Sequence, residues 1–262
     1  MRIATWNINS VRLRLAIVER FIAEAAPDVL CLQETKVQDR DFPHEPFERL
    51  GYVHRHVRGM KSYNGVALLS RLPLKSGGGE DWCGKEDCRH ALAILPGGIE
   101  LHNFYVPAGG DVPDPDANPK FAHKLRFLAE TEAWWKARYS ARRKAILVGD
   151  LNIAPLETDV WSHKQLLDVV SHTPIEVEGL AKLQAAHKFV DAVRRFIPPE
   201  ERLYSWWSYR ANDWAAADRG RRLDHIWVTP ALAASLADAS VLKSARGWST
   251  PSDHVPVIVD LK

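Results

Sequence analysis

The sequence predicts an α/β domain in which β-sheets are covered by helices. Its 262 residues, 46% of them hydrophobic and 26% charged, suffice for one large buried core, so we expect residues 1–262 to form one domain rather than two equal ones. Short apolar or alternating runs are separated by amphipathic segments, which indicates hairpins mixed with helical crossovers. The sequence has no glycine-rich phosphate loop of either standard kind, which argues against a doubly wound nucleotide-binding fold.

The first predicted elements follow from hydrophobic spacing. Residues 2–8 have strand character, and Ser10 is a predicted N-cap for a helix that ends before Pro27. The apolar positions of that helix share one face: Leu13, Ile17, Val18, Phe21 and Ile22. Residues 28–33 and 65–70 are predicted to form the next two strands.

The remaining elements are predicted in the same way. Residues 91–95 and 100–106 indicate a hairpin around a Pro-Gly-Gly turn, and a helix is expected over residues 120–139. Residues 156–202 have a mixed helical pattern that gives no clear boundary. The last predicted strands cover residues 144–148, 223–228 and 256–261.

Charge and cysteine content limit the classes of protein that the chain can represent. The net charge of +2 provides no global field for nucleic acid, so any DNA contact depends on local basic patches. The three cysteines, Cys31, Cys83 and Cys88, do not support a disulfide framework, and no zinc-binding spacing is present in the sequence. Without a leader pattern or a membrane-length apolar run, a cytoplasmic protein with no membrane contact is expected.

Polar side chains that suit a hard cation follow several predicted strands. Several of them, taken alone, are equally well explained as a turn or a helix cap, but together they favour a site for magnesium, which prefers carboxylate and carboxamide oxygens. These residues are Asn7, Glu34, Asp150, Asn152, Asp224, Asp253 and His254. Asp224 lies within a strand, so a partner such as a histidine is expected for it, whereas His225 faces the opposite side of that strand.

The motifs that contain these residues resemble the exonuclease III family of abasic-site endonucleases, within the endonuclease, exonuclease and phosphatase superfamily. The resemblance extends over essentially the whole chain, and it implies a four-layer α/β sandwich of two mixed sheets packed face to face, with helices outside. The matching motifs, in chain order, are WNIN with Asn7, LQETK with Glu34 and Lys36, NFYVP with Tyr105, GDLNIAP with Asp150 and Asn152, RGRRLDHIWV with Asp224, and PSDHVPV with Asp253 and His254.

The resemblance implies hydrolysis of DNA on the 5′ side of an abasic site, which leaves a 3′-hydroxyl, with 3′–5′ exonuclease and 3′-end-cleaning activity besides. The implied cofactor is Mg²⁺, with Mn²⁺ as a substitute, and Glu34 is the strongest ligand candidate. The other metal-ligand candidates are Asn7, Asp150, Asn152, Asp253 and His254. The catalytic candidates are Tyr105, Asp150, Asn152, Asp224 and His254, where His254 either activates water or holds the phosphate as an imidazolium.

Substrate contacts are also implied by the resemblance. Lys36 supplies charge near the phosphate, while Trp206, Trp207 and Leu223 wall a pocket for a flipped-out abasic sugar. Arg221 is a further candidate for substrate binding in this pocket. Two positions depart from the family pattern: Ala108 stands where relatives often carry Asn or Gln, and Arg221 stands where some carry an aromatic residue. The expected partner is double-stranded DNA with abasic sites or 3′ ends, acted on by a monomer without an obligatory protein partner.

Two other functions remain open from the sequence. One is a phosphodiesterase or phosphatase of the same superfamily that acts on RNA, phosphoinositides or DNA without lesion selectivity. The other is a catalytically silent nucleic-acid-binding module, which the complete acid, amide and histidine set argues against.

Overall fold

A computed structural model describes residues 1–211 and 213–262. Its strands are β1 (Arg2–Asn7), β2 (Val29–Gln33), β3 (His54–Arg58), β4 (Val66–Ser70), β5 (Lys75–Ser76), β6 (His90–Leu95), β7 (Ile99–Tyr105), β8 (Ala145–Asp150), β9 (Val190–Asp191), β10 (Trp206–Trp207), β11 (Gly220–Arg221), β12 (Asp224–Val228), β13 (Leu236–Val241) and β14 (Val257–Leu261). Its α-helices are α1 (Leu15–Ala25), α2 (His44–Arg49), α3 (Pro119–Ala137), α4 (His163–Leu166), α5 (Pro174–Ala186), α6 (Trp214–Ala217) and α7 (Pro230–Ala233).

The longer strands form two mixed six-stranded sheets. The first sheet has the order β13-β14-β1-β2-β4-β3 and the second the order β5-β6-β7-β8-β12-β9, while β10 and β11 form a separate two-stranded ribbon. Within each large sheet one pair is parallel, β1 with β2 and β7 with β8, and the other pairs are antiparallel.

Hydrophobic contacts place the two sheets face to face. Ile3 and Val29 of the first sheet share one buried cluster with Ile146 and Ile226 of the second. The outer face of the first sheet packs on α1, and the outer face of the second packs on α3 and α5. The predicted four-layer α/β sandwich of two mixed sheets, with helices outside, is confirmed.

The predicted start of the first helix is wrong. Ser10 does not cap α1, because Asn9 and Ser10 adopt φ values of 47° and 88° and turn the chain out of β1. The helix begins only at Leu15, after Arg14, whose side chain makes no capping hydrogen bond. Leu13 therefore lies outside the helix, and it is 62% exposed rather than part of the apolar face.

Several elements lie where the sequence predicts them. The hairpin β6–β7 turns at Pro96–Gly98, and Asn118 caps α3 by accepting a hydrogen bond from the backbone N–H of Lys120. In β12, His225 is buried on the face opposite Asp224, as predicted, and its Nε2 contacts the carbonyl oxygen of Ile153 at 2.9 Å.

No helix in the described ranges has the length and apolar content that a membrane crossing requires.

Candidate active site at the strand ends

Five strands bring polar side chains to one edge of the sandwich. Parallel β1 and β2 place Asn7 and Glu34 at the end of the first sheet, while parallel β7 and β8 end side by side at Tyr105 and Asp150. Antiparallel β12 starts at the same edge, because Asp224 pairs directly with Asp150. The predicted strand-end residues of both sheets therefore meet in one place.

Close backbone packing at this edge requires Gly149. A Cβ atom at Gly149 would lie 1.9 Å from the carbonyl oxygen of Phe104, and its φ of 140° is strained for other residues. The missing side chain lets β8 approach β7 closely just before Asp150. The glycine of the GDLN motif thus fixes where the Asp150 carboxylate lies.

The amide of Asn7 joins carboxylates from the two sheets. Its Nδ2 donates hydrogen bonds of 2.8 Å to Glu34 Oε1 and of 2.8 Å to Asp150 Oδ2. Lys36 Nζ lies 2.8 Å from Glu34 Oε2. Although burial opposes ionisation of Glu34, Lys36 and Asn7 outweigh it and lower the pKa of this carboxyl, so Glu34 is an anion at neutral pH.

His254 lies between two buried aspartates. Its Nδ1 is 2.8 Å from Asp224 Oδ2, and its Nε2 is 3.7 Å from Asp150 Oδ2. Burial opposes the charge on the ring, but Asp224 and Asp150 outweigh it and raise the pKa of His254 to about 10. Burial raises the pKa of Asp150 to about 7 despite the nearby imidazolium. Near neutral pH, His254 is therefore a cation, and Asp150 is the group that gains or loses a proton.

Tyr105 and Asn152 complete the buried polar cluster. Asn152 donates from Nδ2 to Asp150 Oδ2 at 3.1 Å and to the carbonyl oxygen of Val106 at 2.9 Å. Burial, together with the charges of Glu34 and Asp150, raises the pKa of Tyr105 well above its ordinary value. The phenol therefore keeps its proton and is a hydrogen-bond donor.

Asp253 is held by donors from two sides. Trp206 Nε1 donates to its Oδ2 at 2.9 Å, and Asn9 Nδ2 donates to its Oδ1 at 3.2 Å. Both carboxylate oxygens therefore already accept hydrogen bonds, and Asp253 orients the Trp206 ring. Trp207 is only 2% exposed, and its Nε1 donates to Asp218, so most of its ring belongs to the core.

A cavity of about 650 Å³ opens beside this cluster. His254, Glu34, Asp253 and Asn152 contribute to its inner wall. Aromatic, apolar and cationic side chains form the rest, including Trp161, Trp206, Trp207, Trp214, Leu223, Arg210, Arg219 and Arg221. The predicted pocket residues Trp206, Trp207, Arg221 and Leu223 thus share one cavity with the polar cluster, whereas Lys36 lies beside Glu34.

Comparison with known proteins identifies the family. The profile of the Endonuclease/Exonuclease/phosphatase family matches residues 4–254. The chain belongs to this family. One curated relative is exodeoxyribonuclease III of Haemophilus influenzae. It is 30% identical to this chain over 276 residues, and the alignment covers all of both chains. The predicted resemblance to the exonuclease III family, and with it the hydrolase class, is confirmed.

Solved structures of the family have the same fold. An AP endonuclease from Archaeoglobus fulgidus superposes with a TM-score of 0.92 at 34% identity, covering 100% of this chain and 99% of the other. A 3′ phosphatase from Neisseria, bound to a product DNA hairpin, gives a TM-score of 0.90 at 31% identity, with 100% and 99% coverage.

The donor set of this family member fits a hard metal ion. In the described part of the chain, Asp150, Asp224 and His254 form one acidic cluster whose candidate ligand atoms lie within 4.8 Å of one another. Because His254 is protonated there, we regard the carboxylates of Glu34 and Asp150 as the better donors, since both meet at the Asn7 amide. Asn7 faces them with Nδ2, while its Oδ1 accepts the backbone N–H of Asn9. Asp224 is engaged by His254, and Asp253 by Trp206 and Asn9.

Some residues of the site were not found from the sequence. Ser205 Oγ donates to Asp224 Oδ2 at 2.6 Å and accepts the backbone N–H groups of Leu223 and Asp224, so it fixes the carboxylate behind His254. Lys124, fully buried, donates to the carbonyl oxygens of Ala108 and Asn152. Ser205 directly precedes Trp206 but was not itself predicted, and Lys124 lies outside every matching motif. Only long-range contacts show the role of either residue.

Proposed function

We propose that this chain is a metal-dependent DNA-repair phosphodiesterase that hydrolyses DNA 5′ to abasic sites and leaves a 3′-hydroxyl. The main support is the Asn7 amide that joins Glu34 and Asp150, next to the His254–Asp224 pair and at the mouth of a tryptophan-lined cavity. Removal of nucleotides and blocking groups from 3′ ends is part of the proposal. The relatives named above include an exodeoxyribonuclease, an AP endonuclease and a 3′ phosphatase.

The proposal includes the setting in which the enzyme works. The chain acts as one domain, since the two sheets share one core and the family match spans residues 4–254. It is proposed to act on double-stranded DNA as a monomer. The free thiols of Cys31, Cys83 and Cys88 suit a reducing cytoplasm.

Mg²⁺ is the proposed ion, with Mn²⁺ as a substitute, and the carboxylates of Glu34 and Asp150, which the Asn7 amide joins, would hold it. When bound, the ion offsets phosphate charge and stabilises the leaving oxygen. Lys36 adds a positive charge next to Glu34. We assign Asn152, Asp253 and His254 roles other than direct ligation, since each is engaged with other groups.

The protonation states divide the remaining catalytic roles. His254, kept as an imidazolium by Asp224, donates a hydrogen bond to a non-bridging phosphate oxygen. Asp150 accepts the proton of the attacking water, because it is the group whose pKa lies near neutrality. Water attacks phosphorus, the bond to the upstream O3′ breaks, and O3′ takes up a proton. Tyr105 and Asn152 donate further hydrogen bonds to the phosphate.

Lesion selectivity is assigned to the cavity. Trp206 and Leu223 offer an apolar wall to a sugar that has lost its base, and a normal nucleotide would have to insert its base into the same space. The Trp206 ring is fixed by its hydrogen bond to Asp253, so the wall is rigid. Abasic sugars are therefore expected to enter more readily than intact nucleotides.

We expect a labelled duplex with one abasic-site analogue to be cut once, on the 5′ side of the lesion, when Mg²⁺ is present. Excess chelator should abolish the cut, because the phosphate then loses its counter-charge. An undamaged duplex is the control for selectivity, and shortening of its labelled strand measures 3′–5′ exonuclease activity. If the folded enzyme cuts neither duplex with Mg²⁺ or Mn²⁺, an RNA or phosphoinositide substrate would be the better assignment.

Trp206→Ala is expected to lower the ratio of abasic to undamaged cleavage about tenfold, since the pocket loses its fixed aromatic wall. The measurement is kcat/KM on the two duplexes, together with the urea midpoint of unfolding. Trp134→Ala in α3 is the matched control, because Trp134 packs with the aromatic residues under the second sheet. An unchanged ratio in folded Trp206→Ala would remove this residue from lesion recognition.

A further inference from the structure

Basic residues cluster at the end of the second sheet that lies opposite the candidate active site. Residues 136–144 connect the last turn of α3 to the start of β8, and five of these nine are Lys or Arg, whereas residues 133–149 include no acid. The exposed Lys188, which follows α5, joins them, because its Nζ lies 5.7 Å from the centre of the Tyr139 ring. The basic patch is defined by Tyr139 and five exposed cations: Lys136, Arg138, Arg142, Lys144 and Lys188.

The protein does not neutralise the charge of the basic patch. Across residues 1–211 and 213–262, none of its five cations forms a salt bridge. The neighbouring Arg143 differs, since its Nη1 donates to both carboxylate oxygens of Glu100, at 2.9 and 2.6 Å. Cations at the end of α3 also stabilise the helix dipole, but this accounts only for Lys136 and Arg138. The other three cations lie outside α3, so their charge is available to an anion.

Aromatic rings support the basic patch and give it a surface for stacking. The Arg138 guanidinium lies 4.1 Å from the centre of the Trp134 ring, which packs edge to face against the buried Trp135. The Tyr139 ring contacts the buried His187 at a centroid distance of 5.1 Å, yet 46% of Tyr139 is exposed. Part of an aromatic ring is therefore accessible among the cations, on a well-packed support.

We propose that the basic patch is a second nucleic-acid site, which binds a single strand. Its cations contact successive phosphates and Tyr139 stacks on one base, a combination that holds single strands without reading their sequence. Residues 136–144 include one aromatic residue and no Leu, Ile, Val, Met or Phe. Insertion into a membrane surface needs a larger apolar face, so the composition favours nucleic acid over a lipid surface.

Strand β8 separates the basic patch from the candidate active site. It extends from Ala145, next to the patch, to Asp150 in the site, so the two lie about 17 Å apart along this strand. They face opposite ends of the sheet, and a short duplex is too stiff to bend from one end to the other. A duplex at the active site and a single strand on the patch are therefore bound together. The inference does not depend on the chemistry of the active site.

Fluorescence anisotropy of a labelled oligothymidine of about 12 nucleotides tests the inference. The enzyme is first saturated with an unlabelled abasic-analogue duplex in the presence of chelator, so that the active site is occupied and nothing is cut. Wild-type enzyme is expected to bind the oligothymidine and to lose affinity as salt rises. Tyr139→Ala should weaken binding about tenfold, because the stacking surface is lost.

The double variant Arg138→Gln, Arg142→Gln should make the dependence of log affinity on log salt shallower by about 1.4, which corresponds to two phosphate contacts on a single strand. The control is the double variant Arg20→Gln, Arg49→Gln. It removes the same charge from exposed positions of α1 and α2, outside the first sheet, and should bind as the wild type does.

Cross-linking locates the strand directly. An oligonucleotide that carries 5-iododeoxyuridine, irradiated with the wild-type enzyme and mapped by mass spectrometry, should label Tyr139. Urea midpoints establish that each variant is folded. If Tyr139→Ala is not, Tyr139→Leu takes its place with the same expected loss, since leucine keeps bulk but has no aromatic face.

Absence of binding to the duplex-saturated wild type, an unchanged affinity in folded Tyr139→Ala, or cross-links confined to Trp206 in the cavity would overturn the inference. Binding of vesicles of phosphatidylglycerol and phosphatidylcholine instead of the oligothymidine would also overturn it. Failure of the abasic-analogue duplex to bind would count against the proposed function, and the cross-linking result then decides the second site without it.

Discussion

Asp150→Asn is expected to reduce turnover by about 10²–10⁴-fold while DNA remains bound, because the reaction loses its proton acceptor and the proposed metal site loses one of its carboxylates. Asparagine has the same shape, and with its side-chain oxygen at the Oδ1 position it still accepts the 2.9 Å hydrogen bond from the backbone N–H of Asn152. Its NH2 group then faces the Nδ2 donors of Asn7 and Asn152, so these two hydrogen bonds to Oδ2 are lost. The substitution also removes a negative charge that helps to keep His254 protonated. Phosphate binding by Tyr105, Asn152 and the cavity remains.

The same residue is expected to set the ascending limb of the pH profile. Asp150 acts as a base only when deprotonated, and burial raises its pKa to about 7 in the metal-free site, so kcat/KM rises with pH as this carboxyl loses its proton. A bound cation lowers this pKa, which moves the limb to the acid side of neutrality. His254, with a pKa of about 10, stays protonated over the whole limb. Residual activity of Asp150→Asn should lack the ascending limb.

Single-turnover cleavage and equilibrium DNA binding, measured on the same abasic duplex, separate chemistry from affinity. Asp238→Asn on the exposed strand β13 is the matched control, and it should behave as the wild type in both assays. A folded Asp150→Asn enzyme with wild-type single-turnover rates would show that another group accepts the proton. A loss of DNA affinity equal to the loss of rate would assign Asp150 to binding.

The local pattern of apolar residues predicted those strands whose side chains are mostly buried. β1, β2, β8 and β12 are short apolar runs, and each was predicted close to its observed bounds. β3 was missed because its sequence, HRHVR, is polar and its side chains are half-buried, so it is defined by its pairing with β4 rather than by its own pattern. The prediction that Ser10 caps the first helix was wrong for a similar reason, because long-range contacts decide the local backbone. The N–H groups of Ser10 and Val11 donate to the carbonyl oxygens of Glu34 and Thr35, and these hydrogen bonds hold the turn.

For the candidate site as well, the sequence predicted the residues but not their arrangement. Asn7, Glu34, Asp150 and Asp224 were predicted because a polar residue at the end of an apolar strand is conspicuous in a sequence. Their mutual geometry was not predictable, since the Asn7 amide reaches Asp150 across 143 positions of the chain. The sequence left two roles open for His254, activation of water or binding of the phosphate as an imidazolium. The short distances from its ring to Asp224 and Asp150 favour the second role, because the two carboxylates keep the ring protonated.

Lys124→Met is expected to destabilise the fold by about 3–5 kcal/mol, since it leaves a buried carboxylate without its cation. Lys124 and Glu176 form an ion pair in which both side chains are fully buried. Lys124 Nζ also donates to the carbonyl oxygens of Ala108 and Asn152, at 3.3 and 2.8 Å. Glu176 in turn accepts hydrogen bonds from the backbone N–H groups of Ser171 and Thr173. The pair thus ties together the loops after β7, after β8 and before α5.

Urea unfolding at neutral pH measures this effect, and Lys182→Met is the matched control. Lys182 pairs with Glu178 on the same helix as Glu176, but both side chains are mostly exposed, so loss of the Lys182 charge should leave the urea midpoint nearly unchanged.

The double variant Lys124→Met, Glu176→Gln removes the unpaired charge and should recover part of the lost stability, because glutamine still accepts backbone hydrogen bonds. If Lys124→Met unfolds at the wild-type midpoint, or if the double variant is less stable than the single one, the ion pair does not hold these loops together. If Lys124→Met is destabilised but still folded, loss of its cleavage activity would report displacement of Asn152, since its carbonyl oxygen loses the ammonium donor.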